Sequence, residues 1–266
     1  MCAAAALIVV ASATSQVVVG RTVLRAVKVP AGAARSVAVS CPAGYFAVSA
    51  GPSRAGEGIR ELEARPLSFR KFAFTLANAS DVDQRVTVAA ACRRVRAVGS
   101  NTAYLKLAAK RRVTLRVAPS GQRQARFTCP SGTVPAAAGF DLGRGLSVRQ
   151  ETQDLHVLSF AASNTGAAPR NASFYASCLT VVHPAGHPAQ LQVSLATDAV
   201  PLHSGSQVVI RVCPSGWLAL AAGYSLPAGV ELNGAAAVGR TARWSLTSPV
   251  QKPLLAQLQL ACARVA

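Results

Sequence analysis

Short stretches of alternating apolar and polar residues run along most of the chain. Residues 22–29, 36–41 and 71–77 are examples, and proline-glycine turns follow the first two. A period of two places successive side chains on opposite faces of a β-strand. Short strands separated by turns at intervals of about ten residues are typical of antiparallel sandwiches and barrels. No long window beyond the N-terminal segment has helical periodicity, so the pattern predicts an all-β protein.

Six of the seven cysteines divide the chain into three copies of one unit. Each copy opens with Cys-Pro-x-Gly and closes at a cysteine about 50 residues later. The opening and closing residues are Cys41 and Cys92, Cys129 and Cys178, and Cys213 and Cys262. Equivalent cysteines recur about every 85 residues, and this period indicates one supersecondary unit used three times.

Three further positions are shared by the copies. A glycine follows each opening cysteine, and an aromatic residue and a small polar residue precede each closing cysteine, always at the same spacing. In chain order these residues are Gly51, Gly139 and Gly223; Phe74, Phe160 and Trp244; and Asn78, Asn164 and Ser248. We expect the glycines to lie where a side chain would clash with a close backbone. We expect the aromatic residues to anchor the cores.

The spacing of the cysteines favours disulfides over a metal site. Zinc ligands come in close pairs, whereas each cysteine here lies far from its partner. We therefore predict the disulfides Cys41–Cys92, Cys129–Cys178 and Cys213–Cys262, each joining the second strand of a unit to its last strand. Closing a loop of this length stabilises a unit by about 4 kcal/mol. Such disulfides also indicate an oxidising compartment.

The predicted fold is three tandem antiparallel β-sandwich repeats, Ig-like or jelly-roll-like, each with one internal disulfide. The repeats occupy residues 14–98, 103–181 and 189–266. Of the linkers between them, residues 93–102 are basic, and residues 182–189 are rich in proline and therefore semi-rigid. We expect the repeats to follow one another as a line of separate domains, although the packing between neighbours could be close.

Residues 1–13 form a short apolar segment that ends in Ala-Ser-Ala. Small residues at alternate positions are typical of a signal-peptidase site, so we predict a signal peptide and a secreted or cell-surface protein. No other stretch of the sequence is long and apolar enough to span a membrane, so we expect no stable span after the signal is removed.

Positive charge is concentrated in the first half of the chain, and the net charge is +18. The predicted polyanion-binding residues are Arg93, Arg94, Arg96, Lys110, Arg111 and Arg112. Further cations nearby are Lys106, Arg116, Arg123 and Arg126. Such a patch favours an anionic partner, such as a wall polymer or acidic cell-surface glycan, with nucleic acid less favoured. The alternative is that an arginine- and alanine-rich composition places these charges on strand faces only for solvation.

Exposed aromatic residues could serve as stacking platforms for sugars. Tyr45 and Trp217 share the position four residues after the opening cysteine, while Thr133 occupies it in the second unit. An aromatic residue that varies between copies and follows a turn is a better ligand candidate than the repeated one. Tyr45 and Trp217 are therefore the possible ligand aromatics.

The titratable residues give no catalytic set. Glu61 and Glu63 share a strand face by the period of two, and Arg60 and Arg65 flank them. We interpret them as a solvated, ion-paired face rather than as a catalytic carboxylate pair.

Metal ligands are equally weak candidates. Asp81 and Asp83 lie in a turn that could hold calcium, but the equivalent turn of the second unit has no acid. His183 and His187 have a spacing of four residues, but a proline-glycine linker does not hold them on one helical face. We predict no catalytic residue, no metal and no cofactor.

The order of motifs within each unit resembles a secreted bacterial repeat. These motifs are the Cys-Pro-x-Gly step, the following glycine, the aromatic residue, the asparagine and the closing cysteine in a Val/Ala-rich strand. That repeat occurs in exported proteins of actinobacteria and other GC-rich bacteria. The resemblance covers residues 21–266, and Ser248 departs from it where asparagine is expected. It implies a β-sandwich fold and export, and it carries over no catalytic residue.

Together these patterns predict an exported, non-enzymatic binding or structural protein of the cell surface or extracellular matrix. Its expected contact is a polyanion, through the first unit and the first linker. The alternative is a carbohydrate-recognition array that uses Tyr45 and Trp217.

Overall fold

The computed structural model describes residues 17–96, 104–108, 110–182, 191–249, 251 and 253–265, and every helix or strand element in them is a β-strand. The strands of the first unit are β1 (Val17–Val29), β2 (Ala34–Ser40), β3 (Phe46–Arg54), β4 (Ile59–Ser68), β5 (Lys71–Asn78) and β6 (Gln84–Arg96). Those of the second are β7 (Tyr104–Leu107), β8 (Arg111–Val117), β9 (Gln122–Thr128), β10 (Val134–Leu142), β11 (Leu146–Asp154), β12 (Val157–Asn164) and β13 (Arg170–Val182). Those of the third are β14 (Leu191–Leu202), β15 (Gly205–Val212), β16 (Leu218–Ser225), β17 (Glu231–Val238), β18 (Thr241–Ser248) and β19 (Leu254–Val265).

Each unit is a sandwich of two three-stranded antiparallel sheets. In the first unit the strand order is β1-β6-β3 in one sheet and β2-β5-β4 in the other. The other two units repeat both orders, and β7 and β8 together take the place of the first strand in the second unit. The prediction of an all-β fold of antiparallel sheets is therefore confirmed.

The three predicted disulfides are present. Cys41 follows β2 in one sheet, and Cys92 lies within β6 of the other sheet, with 5.6 Å between their Cα atoms. The bonds Cys129–Cys178 and Cys213–Cys262 occupy the equivalent positions. Each disulfide therefore fastens the two sheets of its own unit to each other.

The repeated Cys-Pro-x-Gly step forms the tight turn between the second and third strands. In the first unit the amide of Tyr45 donates a hydrogen bond to the carbonyl of Pro42 at 3.2 Å. Gly44 has a φ of +77°, and its counterparts in the other units have nearly the same value. A residue with a side chain rarely adopts this conformation, so the turn requires the glycine.

The repeated aromatic residues anchor the cores, as predicted. Phe74, Phe160 and Trp244 are completely buried, each on the fifth strand of its unit. The indole Nε1 of Trp244 donates to the carbonyl oxygen of Gly223 at 3.0 Å, so its polar atom is satisfied inside the core.

The repeated asparagine closes the end of each of the first two sandwiches. Asn78 Nδ2 donates to the carbonyls of Val29 and Val82, at 3.1 and 2.7 Å. Asn164 makes the same pair of bonds, to Val117 and Ala168, at 3.0 and 2.9 Å. These bonds join the end of the first strand to the turn before the sixth.

In the third unit Ser248 takes the place of the asparagine. Its hydroxyl is buried and has no hydrogen-bond partner in the part of the chain that the structure describes. The shorter side chain therefore leaves this end of the third sandwich without the bridge that the other two units have.

The three units form a closed ring. The fourth strand of the first unit, β4, pairs with β10 of the second, and β11 of the second pairs with β16 of the third. The ring closes where β17 of the third unit lies against β3 of the first. The expectation of a line of separate domains is therefore wrong, because the free edge of each fourth strand is covered by the next unit.

The glycine that follows each opening cysteine lies at these joints. A Cβ atom on Gly139 would be 2.0 Å from the carbonyl oxygen of Ala64, and one on Gly51 would be 1.8 Å from that of Ala235. At the remaining joint, a Cβ on Gly223 would be 2.7 Å from the carbonyl oxygen of Glu151. The predicted close backbone exists, and it belongs to the neighbouring unit.

Candidate functional site

Seven exposed positive charges lie along one edge of the second sandwich. The strands β8 and β9 are the outermost strands of the two sheets of this unit. The guanidinium of Arg111 on β8 donates to the carbonyl of Thr128 on β9 at 3.0 Å and so bridges the two sheets. We call the exposed cations of this region the basic edge; they are Lys106, Lys110, Arg111, Arg112, Arg116, Arg123 and Arg126.

In the part of the chain that the structure describes, no cation of the basic edge forms an ion pair with a carboxylate. The sequence has no aspartate or glutamate between Asp83 and Asp141. Within the described residues, the cations that form ion pairs with carboxylates are Lys28, Arg60, Arg65 and Arg211, and none of them belongs to the basic edge. The field of the basic edge therefore extends into solvent.

Neutral hydrogen bonds orient several of these cations. Lys110 Nζ donates to the carbonyl oxygen of Pro66 at 2.8 Å and lies 5.2 Å from the ring centroid of Tyr175. Arg112 donates to the hydroxyl of Ser173 at 2.9 Å. Partial burial, together with the charges of Arg65 and Arg112, lowers the pKa of Lys110 from its ordinary value. Burial is the largest cause of this shift, and the neighbouring positive charges add to it.

Arg93 does not belong to the exposed patch, although the sequence placed it there. The residue is buried at 2% exposure, since it lies in β6 rather than in a linker. Its guanidinium donates to the carbonyls of Ala219 and Gly239 of the third unit, at 2.6 and 3.1 Å. Burial lowers its pKa to about 10. Arg93 therefore holds the first unit to the third instead of facing a polyanion.

The other predicted cations are placed differently. Arg94 is half-buried, and its guanidinium lies 4.7 Å from the centroid of the Tyr45 ring. The side chain of Arg96 is outside the described residues, as are the N-terminal segment and both linker histidines. Lys110, Arg111 and Arg112 remain in the exposed patch.

The two aromatic residues considered as sugar platforms are poorly placed for that role. Tyr45 is buried at 6% exposure beneath Arg94, so the interpretation of its ring as a stacking platform is wrong. Trp217 is half-buried against the core, and the guanidinium of Arg264 lies 4.6 Å from its ring centroid. Both rings therefore already have cations as partners.

Glu61 and Glu63 do not share a face. A β-bulge lies between them, and they pair with the adjacent residues Leu76 and Thr75 of β5. Glu63 has the predicted ion pair, with Arg65 at 2.7 Å. Glu61 is not solvated as predicted, because its Oε1 is buried and has no hydrogen-bond partner among the described residues.

Glu61 belongs instead to a polar cluster to which each unit contributes one residue. The others are Glu151 of β11 and Tyr224 of β16, which lie opposite each other across the second joint. All three line an enclosed cavity of about 20 Å³, room for one water molecule. The hydroxyl of Tyr224 is buried without a partner in the described part of the chain.

Burial shifts the titration of all three groups. It raises the pKa of Glu151 to about 7. The pKa of Glu61 lies well above its ordinary value because of burial, with a smaller contribution from the negative charge of Glu151. The pKa of Tyr224 is raised by burial and by both carboxylates. The cluster therefore favours the protonated forms.

The sequence contained a signal for this cluster that composition does not reveal. Strand register makes Ala64, Glu151 and Ala235 equivalent, since each pairs with the repeated aromatic residue of its unit. Pairing with the sixth strand makes Tyr224 equivalent to Phe140 and Pro52. Pairing with the fifth strand makes Glu61 equivalent to Val148 and Leu232. The detectable signal was therefore a polar residue in one unit at a position where the other two units have apolar residues.

The calcium candidate has a structural partner. Asp83 pairs with Lys28 at 2.6 Å and accepts a hydrogen bond from the amide of Ala31 at 3.0 Å. The hydrogen bond from Lys28 lowers the pKa of this carboxyl. Asp83 therefore fastens the turn after β1 to the start of β6.

Comparison with known proteins finds no matching family model and no matching curated protein. No helix long and apolar enough to cross a membrane occurs among the residues that the structure describes. The three disulfides favour an oxidising environment, which is typical of extracellular proteins.

Proposed function

We propose that this is an exported, non-enzymatic protein that binds an extended polyanion along the basic edge. The main observation that supports this proposal is that the cations of the basic edge are exposed and have no carboxylate partner among the described residues. Like charges held close together repel one another, and an anionic polymer relieves this repulsion. The disulfides support a role outside the cytosol.

Protection of sandwich edges against aggregation does not require such a cluster. Natural edge strands are often guarded by charged side chains. The equivalent edge of the third unit, β14 and β15, has Val208, Ile210 and Val212 exposed instead. Its one arginine on β15, Arg211, is paired with Asp198 at 2.6 Å. The charge of the basic edge therefore exceeds what this architecture needs at an edge.

Retention on immobilised heparin over a salt series tests the proposal. The variant replaces basic-edge residues with glutamine at Lys110, Arg111, Arg112, Arg116, Arg123 and Arg126. The matched control removes the same number of exposed charges elsewhere, at Arg25, Arg35, Arg54, Lys71, Arg85 and Arg144. We expect the first variant to lose retention at salt concentrations where the control is still bound. Equal losses would show that diffuse net charge binds heparin, and unchanged retention in both would refute the proposal.

A further inference from the structure

A cleft of about 660 Å³ opens where the three units meet. One wall is the start of β4, with Leu62; a second is the first half of β11, with Ser147; the third runs from β16 into β17, with Ser225. This volume falls within the range of about 300–1,000 Å³ that is typical of small-molecule sites. The cleft shares no residue with the basic edge.

Three charged side chains around the cleft already have partners within the protein. Arg60 of the first unit forms an ion pair with Glu231 of the third. Arg149 of the second unit donates to the carbonyl oxygens of Val230, at 2.7 Å, and of Pro227. These internal partners compete with an ionic ligand for the three charged groups.

The remaining lining combines hydroxyl and amide groups with apolar surface. The hydroxyl oxygens of Ser147 and Ser163 lie 2.9 Å apart, and Gln150 lies opposite Ser225 across the joint. Leu62, Phe140, Leu226 and Leu232 supply the apolar part. Neutral groups that both donate and accept hydrogen bonds, set beside apolar surface, match a polyhydroxylated ring that has C–H faces.

At its inner end the cleft is lined by two residues whose buried polar atoms have no partner in the described residues. Both Glu61 and Tyr224 line the cleft, and Glu61 Oε1 and the Tyr224 hydroxyl are buried and unbonded. A buried polar atom without a hydrogen-bond partner destabilises the folded protein. The counterparts Leu232 and Phe140 show that the other units build the same positions from apolar residues. The architecture therefore does not need these polar groups.

We propose that this cleft binds a neutral saccharide of one or two rings, with Glu61 and Tyr224 as hydrogen-bonding groups at its inner end. Both atoms are covered in this structure, so hydroxyls of such a ligand satisfy them by displacing the groups that cover them. Ser147, Gln150 and Ser225 complete the recognition at the rim.

The protonation state of Glu61 agrees with a neutral ligand. Burial raises its pKa well above the ordinary value, so the carboxyl keeps its proton well into the range where an exposed glutamate is ionised. A protonated carboxyl both donates and accepts hydrogen bonds, as a sugar hydroxyl does. The cleft and the basic edge therefore bind ligands of different chemistry.

The counterpart residues supply the test variants. Tyr224→Phe and Glu61→Leu each introduce the side chain that another unit has at the same position, so the fold tolerates them. Glu61→Gln keeps a neutral group that donates and accepts. Tyr175→Phe is the matched control, because Tyr175 is also buried but lies outside the cleft. The probes are an array of uncharged mono- and disaccharides, followed by calorimetric titration with the saccharide bound most strongly.

We expect the unmodified protein to bind at least one uncharged saccharide. Affinity should fall at least tenfold in Tyr224→Phe and Glu61→Leu, and less than threefold in Glu61→Gln and Tyr175→Phe. The melting temperature should not fall in Tyr224→Phe or Glu61→Leu, because each removes an unbonded buried atom. Binding of charged saccharides alone, or neutral binding that both cleft variants retain, would overturn the proposal. Glutamine substitution of the basic edge should leave neutral binding unchanged, so this proposal and that of polyanion binding fail separately.

Discussion

Glu151 of β11 lies directly opposite Tyr224 of β16 in the strand pair that joins the second unit to the third. At the same register position, the joint between the first and second units pairs Ala64 with Phe140. A carboxyethyl side chain thus takes the place of a methyl group, and a phenol the place of a phenyl ring, in one of the equivalent joints. This exchange makes the stability of the ring depend on protonation.

The unfolding free energy should fall as the pH rises from about 4 to 8. An unfolded glutamate has a pKa of about 4.3, whereas burial raises the pKa of Glu151 to about 7. The folded state therefore binds this proton more tightly. The stabilisation from this proton is fully present below the pKa of the unfolded state, and it is lost as the pH rises through the pKa of the folded state. The total loss is on the order of 3 kcal/mol. Urea titrations at a series of pH values measure it.

The variant Glu151→Gln should reduce this pH dependence, because glutamine does not titrate, and the dependence that remains belongs to Glu61, whose pKa is also raised by burial. Glu57→Gln is the control, since Glu57 is exposed in a turn. A profile for Glu151→Gln as steep as that of the unmodified protein would contradict the prediction.

Gly139→Ala should destabilise the protein by about 3 kcal/mol or more, because the new methyl group would lie 2.0 Å from the carbonyl oxygen of Ala64. Gly143→Ala is a matched control in the same unit, where the nearest atom to an added Cβ is 3.8 Å away. Urea unfolding compares the two variants. Similar small effects of both would show that the joint has room for a side chain.

Asn164→Ala should lower the unfolding free energy by about 2–3 kcal/mol, because it removes three hydrogen bonds and leaves the buried carbonyl of Val117 without a donor. The equivalent change in the third unit, Ser248→Ala, should shift stability by less than about 0.5 kcal/mol, since the hydroxyl has no partner in the described residues. Thermal unfolding of both variants measures these changes in stability. Equal changes in the two variants would mean that the asparagine bridge contributes nothing to stability.

Arg93→Ala should destabilise the ring by about 3 kcal/mol, because it leaves the carbonyls of Ala219 and Gly239 without their donor and creates a cavity. Its retention on heparin should be unchanged at temperatures where it is folded. Arg116→Ala should show the opposite behaviour, with normal stability and weaker retention, because Arg116 is exposed on the basic edge. A stable Arg93→Ala variant that no longer binds heparin would contradict this assignment.

Features that depend on local sequence could be predicted from the chain. Period-two alternation defines a strand such as β5 without reference to the rest of the molecule, and the equal spacing of Cys41–Cys92 and its counterparts identified the disulfides. The need for a small residue at Gly139 was also predictable, because a repeated glycine in a strand indicates close backbone. Which backbone approaches it was not, since Ala64 belongs to another unit.

Features that depend on the joints between units escaped prediction. Charge alone predicts a surface position for Arg93, because it does not show that carbonyls of another unit surround this residue. Within the first unit, period-two alternation predicts one face for Glu61 and Glu63, because a β-bulge does not change the alternation of the sequence. Comparing the three copies position by position would have identified Glu151, whose counterparts are Ala64 and Ala235.

The ring bears on the origin of the fold, because every unit has both halves of a joint: a fourth strand that covers a neighbour and a third strand that is covered. Such a head-to-tail interface closes after three copies, so one unit of about 85 residues has the surfaces of a symmetric homotrimer. In a homotrimer, a glutamate at the position of Ala64 would bring three mutually repelling carboxyl groups to the joints at once. Covalent linkage of the copies removes that constraint, and a single chain can acquire one such residue, Glu151, while alanine remains at the other two positions.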